Sequence, residues 1–217
     1  MKKQETPVIL TRAEVQRLIE AIEVEELEYT DQLKKKKEEG SLWLDYSKAK
    51  IFLAVRNQAI IRLAFSTGLR VKEITNLNDQ DIYLEERRIK VRAGKNKNDE
   101  YQPVTKPETL KALKRYQKKR KAFKYNKEGA LFIGKSGSRV KVRDLQRMIK
   151  EFAGKASITK NVYFHILRHS FGTEYFDSCG DLGRTQVAMR HKSIESTQIY
   201  MHLGKANVER GLIEADL

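Results

Sequence analysis

The hydrophobic pattern changes period twice along this chain, and that alternation restricts the fold more than any single residue does. Helical spacing comes first. Thr11-Arg12-Ala13-Glu14 reads as a capping box, and Val15, Leu18, Ile19 and Ile22 follow at i, i+3, i+4 and i+7, so a helix is expected from about Thr11. Residues 24–47 mix an acidic run, lysines at 34–37 and Gly40-Ser41; they read as a surface excursion whose structure the pattern leaves open. From Lys48 to Phe65 apolar residues (Ile51, Val55, Ile60, Leu63) occupy more than one face, which predicts a buried helix stopping at Gly68, with a short helix from Val71 to Leu77. The period then drops to two. Ile82 and Leu84, Ile89 and Val91, and Gln102 and Val104 mark three short strands, with turn chemistry at 85–87 and in Gly94-Lys95-Asn96-Lys97-Asn98-Asp99. Helical spacing returns at Pro107, with Leu110, Leu113 and Tyr116 on one side, and continues in Val142, Leu145, Ile149 and Phe152. Further helical patterns cover His165 to Ser178, Arg184 to Met189 and Glu195 to Leu203, while Leu131 to Ile133 is too short to assign. The expected class is mainly α with a small three-stranded antiparallel β-sheet (α+β). No internal repeat or low-complexity linker divides the chain, so one domain is expected.

Charge points to the partner. The 217 residues are 40% hydrophobic and 34% charged, enough apolar surface for a core, and carry a net charge of +15. That balance favours nucleic acid. The excess is local. Residues 1–50 hold 10 basic and 11 acidic residues, whereas 106–150 hold 16 Lys and Arg against three acids. Lys106, Lys114, Arg115, Lys118, Arg139, Lys141, Arg143 and Arg147 in this window are candidate DNA contacts, whose affinity would fall steeply with salt through counterion release. A solvated, lysine-rich helix face is the plainer alternative. The polar start MKKQETP and the interruption of Ile60 to Phe65 by Arg62 fit neither a signal peptide nor a membrane span. Cys179 has no cysteine to pair with, so a soluble, cytoplasmic protein is expected.

All four histidines, His165, His169, His191 and His202, lie in the last 53 residues, together with Arg168, Arg190 and Tyr200. His165 and His169 could face one metal ion from a helix, but the metalloprotease pattern needs Glu where Ile166 stands. Proton handling is the alternative use of imidazoles. His165-Ile166-Leu167-Arg168 sets a titratable ring and a permanent cation side by side on a helix, and arginine's fork holds two phosphate oxygens at once. Arg70, in Ser66-Thr67-Gly68-Leu69-Arg70, follows a glycine turn at the start of a helix.

Taken together, TGLRVKEITNLNDQDI, AGKNKNDEYQPV, HILRHSFGTEYF and MRHKSIESTQIYMH resemble, in order and spacing, the catalytic domain of the tyrosine recombinase (phage integrase) family. The interval of nine from His191 to Tyr200 is the family's usual one. The resemblance implies the DNA breaking-rejoining catalytic fold. It also implies that Arg70 and Arg168 clamp phosphate, that Lys95 is the hairpin lysine, that His165 and His191 are the two site histidines and that Tyr200 is the nucleophile. Hairpin register leaves Lys97 as an alternative to Lys95. Glu73 and Asp81 fall at structural positions, with Glu73 supporting the arginines, and His169 is expected to orient its neighbours. The implied reaction is strand exchange through a 3′-phosphotyrosyl link without metal or nucleotide cofactor. The implied partner is double-stranded DNA, bound by a homotetramer whose subunits are monomeric in free solution. A type IB topoisomerase-like activity and a catalytically silent DNA-binding module are the competing readings. Two departures stand out: Arg190 occupies the place of a usual glycine, and the segment 24–47 exceeds the usual connection. The sequence reads as an extension at 1–10 and a catalytic domain at 11–217, without the helical core-binding domain that typically comes first.

Overall fold

A computed structural model describes residues 8–38, 44–92, 99–121 and 129–201. Its centre is a helix that other helices pack against on several sides. α2 (Leu44–Thr67) buries Phe52, Val55, Ile60, Ile61 and Leu63, apolar residues on several of its faces. Each such side chain contributes roughly 1.5–3 kcal/mol on leaving water. α1 (Arg12–Glu38), α4 (Pro107–Lys121) and α6 (Phe164–Cys179) pack around it.

The capping box at the start of α1 is present in both directions: Thr11 N–H donates to Glu14 Oε2 at 2.7 Å, and Glu14 N–H to Thr11 Oγ1 at 3.2 Å. The expected excursion after residue 24 is corrected here, because α1 runs unbroken to Glu38. Its second half is held by polar contacts. Glu26 is buried and accepts from Gln58 at 2.9 Å and from Arg115.

Gly68, at φ +63, ends α2; a Cβ there would lie 2.4 Å from the Phe171 ring. The chain then enters α3 (Val71–Asn76) and a 3₁₀ turn at Asp79–Asp81. Asp81, buried as a structural residue should be, accepts from Asn78 N–H at 2.8 Å and Arg92 Nε at 3.1 Å.

The sheet is the expected meander, with β1 (Ile82–Tyr83), β2 (Arg88–Val91) and β3 (Glu100–Pro103) in the order β1-β2-β3, antiparallel throughout. Ile89 pairs with both Ile82 and Gln102, and this register puts Gln102 on the buried face. Tyr101 alternates to the outer face, where the Arg88 guanidinium lies 4.3 Å from its ring centre.

Leu131 to Ile133 crosses behind α4 as an irregular segment held by Tyr116, whose hydroxyl donates to the Leu131 carbonyl at 3.0 Å and accepts from Ile133 N–H at 3.1 Å. α5 (Val142–Lys155) buries Leu145, Ile149 and Phe152 as its spacing predicts. α7 (Leu182–Met189) and α8 (Glu195–Gln198) close the described chain. α8 is one turn, shorter than the expected helix to Leu203, and residues 202 and 203 lie outside the described residues. No described helix is long and apolar enough to cross a membrane.

Candidate active site

Two arginines converge on one backbone corner. α7 ends at Met189, and Arg190 takes the left-handed conformation (φ 50, ψ 49) before His191. The Met189 carbonyl accepts from Arg168, whose other terminal nitrogen donates to the Gly68 carbonyl. The Arg190 carbonyl accepts from Arg70 at 3.2 Å. Arg168 therefore ties the end of α2 to the end of α7, and Arg70 ties the start of α3 to the same corner.

Glu73 balances this positive charge. It accepts from Arg70 through the backbone N–H at 2.7 Å and the guanidinium at 2.9 Å, and from Arg190 Nη2 at 2.6 Å. Burial works to raise its pKa, but Arg190 and then Arg70 overcome this and hold the carboxyl below its usual value. Arg168 is 2% exposed. Burial, followed by the neighbouring Arg70, brings its pKa down to about 10, which leaves it charged at neutral pH.

Three imidazoles lie near these arginines. His165 and His169 stand on successive turns of α6 with their rings edge to face, 4.5 Å apart. The His191 ring lies parallel to Tyr200 at 6.2 Å, and its Nδ1 is 2.9 Å from Thr197 Oγ1. Burial first, then nearby positive charge, lowers all three: His169 to about 4, His191 to about 4, and His165 in the same direction. They are neutral at pH 7 and can accept a proton. Among the described residues, no group of three or more His, Cys, Asp or Glu side chains could hold a metal ion.

Tyr200 is 1% exposed, with its hydroxyl 3.3 Å from His169 Nδ1. Its ring lies on the α6 backbone at Gly172, where a Cβ would come within 2.5 Å of Tyr200 Cζ. Burial pushes the phenol up to about 12, against the pull of Arg168 and Arg70. Neither the phenol nor Arg168 reaches the surface. An open cleft of ≈ 1630 Å³ between β3, α6 and α7 reaches the corner from outside, at Gln102, Arg190 and His191.

Arg70, His165, Arg168, His191 and Tyr200 thus come together from α3, α6 and the segment after α7. Lys95 and its alternative Lys97 lie outside the described residues, as does His202. Lys90 of β2 forms an ion pair at 2.8 Å with Asp99, the residue before β3. The packing of Tyr200 against His169 and Gly172 is what residue patterns did not reveal. The signal available for the second was a glycine inside a helical run, which often marks close packing.

The described part of the basic window lies on two helices, α4 and α5, that pack on different neighbours. α4 packs on α2, whereas α5 packs on α1, α3 and α6. Lys114 pairs with Glu85 at 3.0 Å, Arg115 with Glu26, and Arg147 with Asp144 at 2.9 Å. Arg139 donates to the Thr75 and Leu77 carbonyls at 2.9 and 3.0 Å and to Asn78 Oδ1 at 2.6 Å, a structural use of its fork. Lys106, Lys118, Lys141 and Arg143 are exposed, and none meets an acid within ion-pair distance among the described residues.

The sequence model of the phage integrase family matches residues 9–207. The chain belongs to that family. Tyrosine recombinase XerC of Alcanivorax borkumensis is 37% identical over 152 residues, covering 70% of this chain and 49% of the relative. Tyrosine recombinase XerC of Neisseria gonorrhoeae is 34% identical over 163 residues, covering 75% of this chain and 52% of the relative. This phage integrase family chain therefore spans about half the length of those curated relatives. The crystal structure of XerA recombinase superposes with a TM-score of 0.75 at 29% identity, over 98% of this chain and 66% of that one. The fold is also that of XerH site-specific recombinase bound to its difH substrate (TM-score 0.70, 24% identity, 95% and 53% coverage).

Proposed function

We propose that this chain cuts and rejoins duplex DNA as a site-specific tyrosine recombinase. The observation that carries this reading is a buried phenol set against two imidazoles, His169 and His191, beside two arginines anchored to a common corner. A phosphodiester in attack gathers negative charge on its non-bridging oxygens. Arg70 and Arg168, held in place beforehand, stabilise that charge more than the ground state, where one such donor typically supplies about 2.7–4 kcal/mol.

Tyr200 Oη attacks the scissile phosphorus and its proton passes to a neutral imidazole. His165 is the residue implied by the family motif, and His169 is the ring already within reach of the hydroxyl. The P–O5′ bond breaks, and the leaving oxygen takes a proton from the hairpin lysine, Lys95 or Lys97. The products are a 3′-phosphotyrosyl link and a free 5′-hydroxyl. Attack by the 5′-hydroxyl of another strand reverses these steps and completes the exchange, so the phosphate-bond energy is conserved without ATP. Because Tyr200 and Arg168 are both buried, engagement of DNA must first lift Tyr200 off α6. The working assembly is a homotetramer on DNA formed from subunits that are monomeric in free solution.

Nicked suicide duplexes drawn from the DNA flanking the gene test the chemistry. The wild-type chain is expected to form a covalent protein–DNA adduct and Tyr200→Phe none. Exchange between two marked duplexes separates recombination from topoisomerase-like resealing of a single strand. An adduct that survives in the phenylalanine variant, or no adduct in the wild type, contradicts the assignment.

A further inference from the structure

Arg190 stands in the left-handed conformation at φ 50, which glycine adopts without steric cost and which L side chains rarely do. Its side chain is 9% exposed and reaches two other elements. Nη2 donates to Glu73 of α3 at 2.6 Å, Nη1 donates to Gln102 of β3, and Nε lies 3.4 Å from Glu100 of β3. Gln102 in turn points its amide at the Ala188 carbonyl, 3.5 Å away at the end of α7. The backbone around this guanidinium is the part of the site that both phosphate-directed arginines grip, through the carbonyls of Met189 and Arg190, and the next residue is His191.

We infer that Arg190 is a positioning residue: its side chain pins the corner at 189–191 to the sheet and to Glu73, and so sets where Arg70 and Arg168 stand relative to the phosphate. This rests on the recombinase reading above. Among the described residues, the Glu73 carboxylate bonds Arg70 and Arg190, and it is the Arg190 guanidinium that goes on to Gln102 of β3. In this arrangement the three guanidinium nitrogens of Arg190 face oxygens of Gln102, Glu73 and Glu100.

The effect should be largest where the arginines matter most. A misplacement of about 1 Å at such a site costs on the order of 10²-fold in rate. If one non-bridging oxygen of the scissile phosphate is replaced by methyl, the substrate loses its charge and the transition state has less negative charge to stabilise. Arginine placement then matters less, whereas a general loosening of the protein slows both substrates alike. Arg190→Gly suits the backbone conformation, so the fold is expected to persist, which a thermal melt checks.

The experiment compares single-turnover adduct formation at saturating protein on phosphodiester and methylphosphonate suicide duplexes, for the wild type, Arg190→Gly and Gln102→Ala. Arg190→Gly is expected to lose about 10²-fold on the phosphodiester and less than about 3-fold on the methylphosphonate. Gln102→Ala, which removes one anchor, shows the same pattern with a smaller loss and decides the matter if the glycine variant does not melt cooperatively. Equal losses on both substrates, or no loss on either, overturn the positioning role while leaving the recombinase reading intact. Failure of the wild type to form any adduct overturns both.

Discussion

Arg168 and Lys118 carry the same charge, but the fold treats them in opposite ways. Arg168 is buried at 2% exposure, its two terminal nitrogens fixed by carbonyls from residues 100 and 21 positions away. Lys118 stands in solvent on α4, as do Lys106 just before that helix and Lys141 and Arg143 at the start of α5. Desolvation is costly for any cation, and at Arg168 the Gly68 and Met189 carbonyls and the nearby Glu73 offset it. The exposed side chains bear no such cost, but they are not held in one geometry either. A preorganised charge can discriminate between a transition state and a ground state; a mobile one contributes mainly long-range attraction.

The sharpest way to break this contrast is at the buried end. Arg168→Lys keeps the charge and loses the fork. Adduct formation at saturating protein is expected to fall about 10²–10³-fold, while DNA affinity stays close to wild type by filter binding or anisotropy. A parallel drop in affinity would mean that Arg168 holds DNA rather than acting in the reaction. At the exposed end, Lys118→Ala, Lys141→Ala and Arg143→Ala should each weaken binding to unrelated sequences. Each should also flatten the slope of log affinity against log salt by about 0.9 for every phosphate left without its cation. A variant with an unchanged slope would remove its residue from the DNA-binding surface.

The smallest effect concerns protons. His169 and His191 have folded-state values of about 4, below the ordinary 6.5. Between those limits the unfolded chain binds protons that the folded chain does not, so stability present above pH 6.5 is lost as pH falls toward 4. Melting temperature should decline through that window, and less steeply in His169→Gln. Equal slopes in the two proteins would mean that His169 titrates normally in the fold.

Much of the fold is legible in the chain because its signals are local. The capping box at Thr11, the glycine stop at Gly68, the alternation through Ile89 and Gln102, and Pro107 at the first turn of α4 each act within a few residues. The second half of α1 is not legible in this way. Its buried member is Glu26, partnered from α2 and α4, and a carboxylate at an inward position reads as surface until those partners are known. The site divides similarly. Arg70, His165, Arg168, His191 and Tyr200 are marked by the resemblance of their motifs to the tyrosine recombinase family. Arg190 looks like a substituted turn residue, because its bonds to Gln102 and Glu73 span 88 and 117 residues. Gly172 has meaning only once Tyr200 is packed on it. In the basic window, the sequence does not tell Arg139, which bonds the Thr75 and Leu77 carbonyls, from Lys118, Lys141 and Arg143, which stand in solvent.

The most direct test of the separation between charge that holds DNA and charge that acts on it is one rate. It is the single-turnover rate of adduct formation at saturating protein for the triple variant Lys118→Ala, Lys141→Ala, Arg143→Ala. If the two kinds of charge are separate, binding weakens but the saturating rate stays within about threefold of wild type, as expected when only uniform binding is removed. A saturating rate that falls as far as that of Arg168→Lys would contradict the separation.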